Sequence, residues 1–239
     1  MIRLFSVSLV IALLQFSPRL TADVLHFHFE VFNGEQDYGT SDFWVSETFT
    51  RFDLNIPEHY HKTEYVSLKQ GVSQLYDHEL KTYVSINDQE IKARVKKQIN
   101  FTGSDEEFDQ LVLATAKEEG FPDYLTFKQE SGELIAEYDG ENLFIVTPIT
   151  DKRWMLSAKE KNMLSMALNK RQRMNPPEVG MIEVLPPDIM FFLLDNSQFG
   201  FAQYHNKLYE KRFRLKSVER LKTKDFSVKD AQTYRKLSF

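Results

Sequence analysis

The sequence predicts an α+β fold with about a dozen antiparallel strands and two main α-helices. Short runs that alternate apolar and polar residues recur along the chain, with turn residues between them. Two stretches with helical spacing each begin with a capping box. An Asp139-Gly140 pair separates two of the alternating runs, which is a strong hairpin pattern. Together these patterns favour one large antiparallel sheet with helices packed against it.

The first part of the chain predicts a meander of strands. Residues 24–32 alternate, with Leu25, Phe27, Phe29 and Val31 on one face, as in a half-buried strand. A turn is expected over residues 34–39. Further strands are expected over residues 41–54, 63–69, 72–76, 81–86 and 89–101.

The second part predicts the two helices and the remaining strands. Ser104 and Glu107 begin the first helix, which Gly120 ends. Ser157 and Glu160 begin the second, and Pro176 lies just beyond its end. The second helix carries an apolar stripe of Met163, Leu164, Ala167 and Leu168. Strands are expected over residues 124–128, 133–138, 142–147, 181–185, 189–194, 198–205 and 207–221.

The N-terminal segment has the pattern of a secretory signal peptide. Arg3 precedes the apolar run 4–16, and Ala22 closes a short polar stretch. We therefore expect residues 1–22 to be a signal peptide and residues 23–239 to form a single β-rich domain. The chain has no cysteine, which fits the bacterial periplasm better than a disulfide-dependent extracellular setting, the alternative location. The run 4–16 is too short to span a membrane as a helix, and no other apolar run approaches that length.

Composition and motifs exclude several function classes. The net charge is −5, and no phosphate-binding loop is present, which argues against nucleic-acid partners. No hydrolase, metalloprotease or dinucleotide-binding motif occurs, so we expect a non-enzymatic protein without a cofactor. A partner is therefore expected to be an apolar ligand or an envelope protein.

Three groups of side chains are candidates for binding. Aromatic residues are frequent, and one set is expected to line an apolar cavity in the sheet: Trp44, Phe52, Phe191, Phe192 and Phe213. Basic residues alternate along the strand 207–221 and form a candidate contact for an anionic surface, including a membrane surface: Arg212, Arg214, Lys216 and Arg220. Two His-x-His pairs give an alternative function as a periplasmic metal site: His26, His28, His59 and His61.

Three segments resemble the LolA/LolB-like lipoprotein and lipid carriers of the bacterial envelope. They are residues 50–54 (TRFDL), residues 75–83 (LYDHELKTY) and residues 217–228, in which Asp225-Phe226 follows the closing strand. The resemblance implies a strongly curved, half-barrel-like antiparallel sheet, with helices on its concave side and an apolar cavity for acyl chains. The first expectation is therefore a binding protein that carries a lipid or lipoprotein acyl chain. A structural or assembly factor that docks another protein through sheet edges and the basic C-terminal strand remains the second.

Overall fold

The structure is a computed structural model that describes residues 23–118, 126–173, 201–207, 210–222 and 226–237. The predicted signal peptide, the predicted strands 181–185 and 189–194, and the binding candidates Phe191 and Phe192 lie outside these ranges. The described residues form an α+β fold with one curved, open, mostly antiparallel sheet of twelve strands and three α-helices. None of the described helices combines the length and apolar character needed to cross a membrane.

The sheet consists of two meanders joined side by side. The first meander contains β1 (Val24–Asn33), β2 (Gln36–Val45), β3 (Phe49–Ile56), β4 (Tyr60–Ser67), β5 (Val72–Asp77) and β6 (Thr82–Asn87). The second contains β7 (Thr126–Glu130), β8 (Glu133–Tyr138), β9 (Glu141–Pro148), β10 (Phe201–Asn206) and β11 (Lys211–Leu221). β1 pairs with β11, so the first and last long strands join the two meanders. The short β12 (Arg235–Lys236) adds in parallel to the free edge of β6.

The two predicted helices form as their capping boxes predict. α2 (Asp105–Glu118) begins after Ser104, whose Oγ accepts from the backbone N–H of Glu107 while the Ser104 N–H donates to the Glu107 carboxylate. α3 (Ala158–Arg173) begins with the same reciprocal pair between Ser157 and Glu160. The predicted stripe of α3 is buried in the core, and the hairpin at Asp139-Gly140 is also confirmed, with both residues at positive φ.

The prediction of a strand over residues 89–101 is wrong, because the chain forms α1 (Asp88–Gln98) there. Asn87 and Glu90 form a third capping box, with both hydrogen bonds 2.9 Å long. Ile91 is buried in the core and Val95 packs against it. These two residues are four apart, so they share one face of a helix, although their even spacing also satisfies strand alternation.

The prediction of one strand over residues 41–54 is also wrong, because a turn divides it into β2 and β3. Ser46 Oγ accepts from the backbone N–H groups of Thr48 and Phe49, both at 3.1 Å. A serine that satisfies backbone donors in this way competes with the strand ladder and favours a turn. The apolar residues on both sides of Ser46 hid this turn in the sequence pattern.

The two faces of the sheet have different chemistry. One face, which we call the apolar face, carries the alternating residues of β1 and packs against α1 and α3. The core on this face continues across β8, β9, β10 and β11 through Leu134, Phe144, Val146, Tyr204 and Phe213. The opposite face, which we call the outer face, carries the polar residues of β1. Residues 226–237 lie against its β3–β6 part.

A β-bulge at Lys216 sets the register of β11 against β1. His28 lies opposite Ser217 while Phe29 lies opposite Leu215, so Lys216 is an extra residue. Before the bulge, the even-numbered side chains of β11 lie on the outer face, and beyond it they lie on the apolar face. Arg220 therefore lies opposite Leu25 on the apolar face, where its guanidinium contacts Glu160 at the start of α3 at 2.7 Å.

Arg220 compensates a carboxylate that α3 holds out of water. Glu160 is 7% exposed. Burial raises the pKa of this group, but hydrogen bonds from Arg220 and Ser157 outweigh it and hold the pKa below its ordinary value. Arg220 also donates to the Met155 carbonyl at 2.9 Å, which links β11 to the segment that precedes the helix.

We predict that Arg220→Ala lowers the free energy of unfolding by about 2 kcal/mol, measured by chemical denaturation. This is less than the cost for a fully buried pair, because 32% of the Arg220 side chain is exposed. The matched control is Arg214→Ala on the same strand, whose exposed pair with Glu30 contributes at most about 1 kcal/mol. Equal losses in the two variants would contradict the prediction.

Candidate functional site

The apolar face carries a row of phenylalanines at the middle of the sheet. Phe43 of β2 lies opposite Phe27 of β1 and Phe52 of β3. The ring centroids are 6.2 Å apart for the first pair and 6.4 Å for the second. Phe27 and Phe52 are buried, at 3% and 1% exposure, whereas Phe43 between them is only half-buried. An aromatic surface therefore stays accessible at the centre of the row.

Other apolar side chains on this face are also partly accessible. Val218 lies opposite Phe27, and Leu75 extends the phenylalanine row beyond Glu64. Both pack against the core without being buried by it, as do Tyr60 and Trp154. The helices therefore cover the apolar face without closing over all of it.

Polar side chains are also buried on this face, and three of them are at most 1% exposed. Ser41 is 0% exposed, and Thr50 and Glu64 are each 1% exposed. The hydroxyl oxygens of Ser41 and Thr50 have no hydrogen-bond partner within the described parts of the chain. A buried hydroxyl without a partner costs about 1–3 kcal/mol. Sequence reasoning missed these residues, although each stands at an inward position of an alternating strand.

The outer face carries a half-buried network around Asp42. His26 Nε2 and His28 Nδ1 both contact Asp42 Oδ1, at 2.7 and 2.8 Å. The second ring nitrogen of His26 faces Glu219 at 3.3 Å. Trp44 stacks on the His26 ring with a centroid separation of 4.5 Å, and the Arg51 guanidinium lies 5.1 Å from the Trp44 ring. The network links β11, β1, β2 and β3 in one layer.

This arrangement favours a protonated His26 beside an ionised Asp42. Burial lowers the pKa of His26, but the hydrogen bonds and charges of Asp42 and Glu219 outweigh it and raise the pKa overall. Burial likewise raises the pKa of Asp42, but the hydrogen bonds from His26 and His28 lower it further than burial raises it. Because both nitrogens of His26 face carboxylate oxygens, the imidazolium form satisfies both contacts.

The C-terminal residues cover the neighbouring part of the outer face. Phe226 stacks on Phe49 at 5.3 Å, and its carbonyl accepts from Arg51 Nη1 at 3.1 Å. Arg51 also forms a two-bond pair with Asp53, at 3.0 and 2.6 Å. This guanidinium therefore connects the sheet to the covering segment.

Tyr234 anchors the far end of this segment. Its hydroxyl contacts His78 Nδ1 at 2.7 Å, while His78 Nε2 contacts Thr63 Oγ1 at 2.6 Å. Burial and the neighbouring His61 ring, stacked at 4.0 Å, lower the pKa of His78 to about 4. His78 is therefore a neutral hydrogen-bonding group that fixes the segment against β4 and β5.

The four histidines proposed for a metal site do not assemble. His26 and His28 lie on β1, whereas His59 and His61 lie at β4, with β2 and β3 between them. Three strand spacings of about 4.8 Å place the pairs about 14 Å apart, which is too far for one ion. Within the described ranges, no group of three or more His, Asp or Glu side chains is arranged to hold a metal.

The aromatic set proposed for a cavity is divided between the faces. Phe52 and Phe213 lie in the core of the apolar face, where they are 1% and 6% exposed. Trp44 lies on the outer face, because it is one residue from Phe43 and successive strand residues point in opposite directions. Phe43 takes the place that was expected for Trp44.

The predicted basic stripe is likewise divided. Arg212, Arg214 and Lys216 lie on the outer face, but the bulge places Arg220 on the apolar face. Glu30 contacts Arg214 at 2.6 Å and Lys216 at 2.7 Å, and Arg212 lies 3.4 Å from Glu35. The stripe is therefore partly neutralised. Its strand lies inside the sheet between β1 and β10, so its backbone is not an edge for docking.

The Asp42 network predicts a pH-dependent stability. The contribution of His26 to the free energy of unfolding is complete below pH 6.5 and is lost as the pH rises through the raised pKa. The contribution of Asp42 is complete above pH 3.8 and is lost as the pH falls through the lowered pKa. We expect Asp42→Asn to lower the melting temperature by about 2–4 °C at pH 5.5, and by less at pH 8.5. Glu47→Gln, an exposed acid on the β2–β3 turn, is the control, and a pH-independent effect of Asp42→Asn would refute the assignment.

Comparison with known proteins does not assign a family. No family model and no curated protein matches the chain. Among solved structures, that of PNGF-II in space group C2 matches 85% of this chain at 12% sequence identity, with a TM-score of 0.34. The chain spans 29% of the length of that protein.

Proposed function

We propose that the protein is an exported, non-enzymatic binding protein of the periplasm that holds an apolar ligand on the apolar face of its sheet. The observation that carries this proposal is the partly exposed Phe43 at the centre of the phenylalanine row. In a core that serves stability alone, the central ring of such a row is covered at least as well as its neighbours. Here the central ring is the accessible one.

The chemistry of the face suits an acyl chain. The accessible surface is formed by Phe43, Leu75, Val218 and Tyr60, which offer no charge and little polarity. Each methylene group that such a surface removes from water contributes about 0.8 kcal/mol. Full burial of a chain of a dozen carbons therefore supplies about 10 kcal/mol towards the cost of association.

The sequence supports the setting of this proposal. The pattern of residues 1–22 favours export, and the absence of cysteine fits the periplasm. The resemblance of three segments to LolA/LolB-like carriers points to the same ligand class. Docking of an envelope protein and metal binding through the His-x-His pairs have less support, since β11 lies inside the sheet and the two histidine pairs are far apart.

The test is binding of the fluorescent apolar probe N-phenyl-1-naphthylamine to the full chain. We expect saturable binding, which Phe43→Ala weakens about tenfold because a large aromatic contact is lost. Phe43→Leu keeps an apolar side chain and should retain most of the affinity. The matched control is Tyr65→Ala, which removes a half-buried aromatic ring from the outer face.

Two outcomes would overturn the proposal. The first is the absence of saturable probe binding to a protein that melts cooperatively. The second is an equal loss of affinity in Phe43→Ala and Tyr65→Ala, since that would separate binding from the apolar face. Native mass spectrometry of protein purified from cell envelopes gives an independent measurement, in which we expect a co-purifying acyl species.

A further inference from the structure

Two lysines stand on the apolar face near the end of the sheet that holds the β1–β2 and β3–β4 turns. Lys62 of β4 lies opposite Leu54 of β3, and Lys211 of β11 is two residues from the buried Phe213, so both side chains point to this face. Both are partly accessible to solvent, and neither forms an ion pair with a carboxylate of the described residues. Burial lowers the pKa of Lys211, and no described carboxyl group opposes this effect.

Two tyrosines connect these lysines across the sheet. Lys211 Nζ lies 3.7 Å from the centroid of the Tyr38 ring. Lys62 Nζ lies 5.8 Å from the centroid of the Tyr60 ring. Burial raises the pKa of Tyr60, and the nearby Tyr38 hydroxyl raises it further, so the two phenol groups lie close together. We call these four partly accessible residues the lysine–tyrosine row.

The lysine–tyrosine row adjoins the proposed ligand surface. Lys62 is two residues from Glu64, about 7 Å along β4, and Glu64 lies in the same cross-strand row as Phe43 and Leu75. Leu75 is also a diagonal neighbour of Lys62, because it is two residues from Asp77, which lies opposite Lys62. Diagonal neighbours are within reach of a long side chain. An acyl chain on the apolar surface can therefore place its head group beside Lys62.

The carboxyl groups nearest to Lys62 are engaged elsewhere. Asp77 Oδ1 accepts from the backbone N–H groups of Glu79 and Leu80, at 3.1 and 2.9 Å. Glu64 is 1% exposed and has an interaction of its own within the fold. Neither carboxylate therefore occupies the ammonium of Lys62.

The carboxylates of the neighbouring turns point away from the other end of the row. Glu210 faces His205 at 3.6 Å and Glu35 faces Arg212 at 3.4 Å, both on the outer face. Glu58 is exposed in the β3–β4 turn, where water and salt screen its charge. The polar groups of the lysine–tyrosine row are thus two ammonium groups, which only donate hydrogen bonds, and two phenol hydroxyls. Such a set suits a ligand group that is rich in acceptors.

We propose that the ligand is a long-chain amphiphile with an anionic head group, a carboxylate or a phosphate, which Lys62 and Lys211 attract while the acyl chain covers the apolar surface around Phe43. This inference rests on the proposed function, and it adds the head-group class to it. The oxygens of the head group accept hydrogen bonds from donors of the lysine–tyrosine row. A neutral head group meets the same donors without the attraction between opposite charges.

The first test ranks three lipids with the same acyl chain by displacement of N-phenyl-1-naphthylamine at pH 8, each below its aggregation concentration: oleate, 1-oleoyl lysophosphatidate and 1-monooleoylglycerol. We expect at least one charged lipid to displace the probe at about fivefold lower concentration than monooleoylglycerol. The better of the two charged lipids distinguishes a carboxylate from a phosphate. Added salt should weaken the charged lipid and leave monooleoylglycerol unchanged, because salt screens the attraction.

The second test removes the charges one at a time. Lys62→Gln and Lys211→Gln should each weaken the preferred charged lipid about threefold and leave monooleoylglycerol unchanged. Lys211→Arg keeps the charge and should retain the affinity. The matched control is Lys216→Gln, which removes the same charge from the outer face of β11 and should change neither lipid.

The outcomes separate this inference from the proposal on which it rests. Saturable probe binding without a preference for either charged lipid refutes the anionic head group and leaves the apolar site intact. Losses in Lys62→Gln and Lys211→Gln that only equal the loss in Lys216→Gln refute the role of the lysine–tyrosine row. Absence of probe binding overturns the apolar site itself. The lipid ranking uses the unaltered chain, so it decides the head-group class even where a variant folds poorly.

Discussion

The pairing of β1 with β11 is the constraint on which the rest of the structure depends. β1 begins the first meander and β11 ends the second, so their ladder makes one sheet of two separate sets of strands. The bulge at Lys216 within this ladder decides which β11 side chains meet the helices and which meet the outer network. Glu219 reaches His26 and Arg220 reaches Glu160 because of that single extra residue.

The two faces that this ladder creates stabilise the protein by different means. The apolar face removes large side chains from water, and the helices need to present only a few residues to it. The outer face instead pairs half-buried charges around Asp42 and Arg51, and the C-terminal residues cover its β3–β6 part. Each buried charge there has a partner, as the cost of burying an ion requires. This division places the accessible side chains Phe43, Leu75 and Val218 on one face of the sheet and the paired charges on the other.

Much of the fold could be predicted because it depends on local patterns. The alternation of β1, the capping boxes of α2 and α3 and the Asp139-Gly140 hairpin each need only neighbouring residues. α1 was missed although Asn87 and Glu90 show the same capping pattern, since Ile91 and Val95 satisfy both strand and helix spacing. The place of Arg220 could not be predicted, because a bulge depends on the partner strand and a one-residue shift reverses the face.

The candidate site was hidden for a related reason. Adjacent strand residues point to opposite faces, so a shift of one residue decides whether Phe43 or Trp44 faces the core. The turn at Ser46, where β2 gives way to β3, was not recognised in the sequence. Ser41 and Thr50 carry no motif. Both hydroxyls are buried without a partner among the described residues, which only a three-dimensional structure can show. A core built for stability alone gains by alanine at the first position and valine at the second, because each change removes an unsatisfied group at little cost in packing. The two hydroxyls therefore lower the stability of the fold, because no described residue replaces the hydrogen bonds to water that they lose on burial.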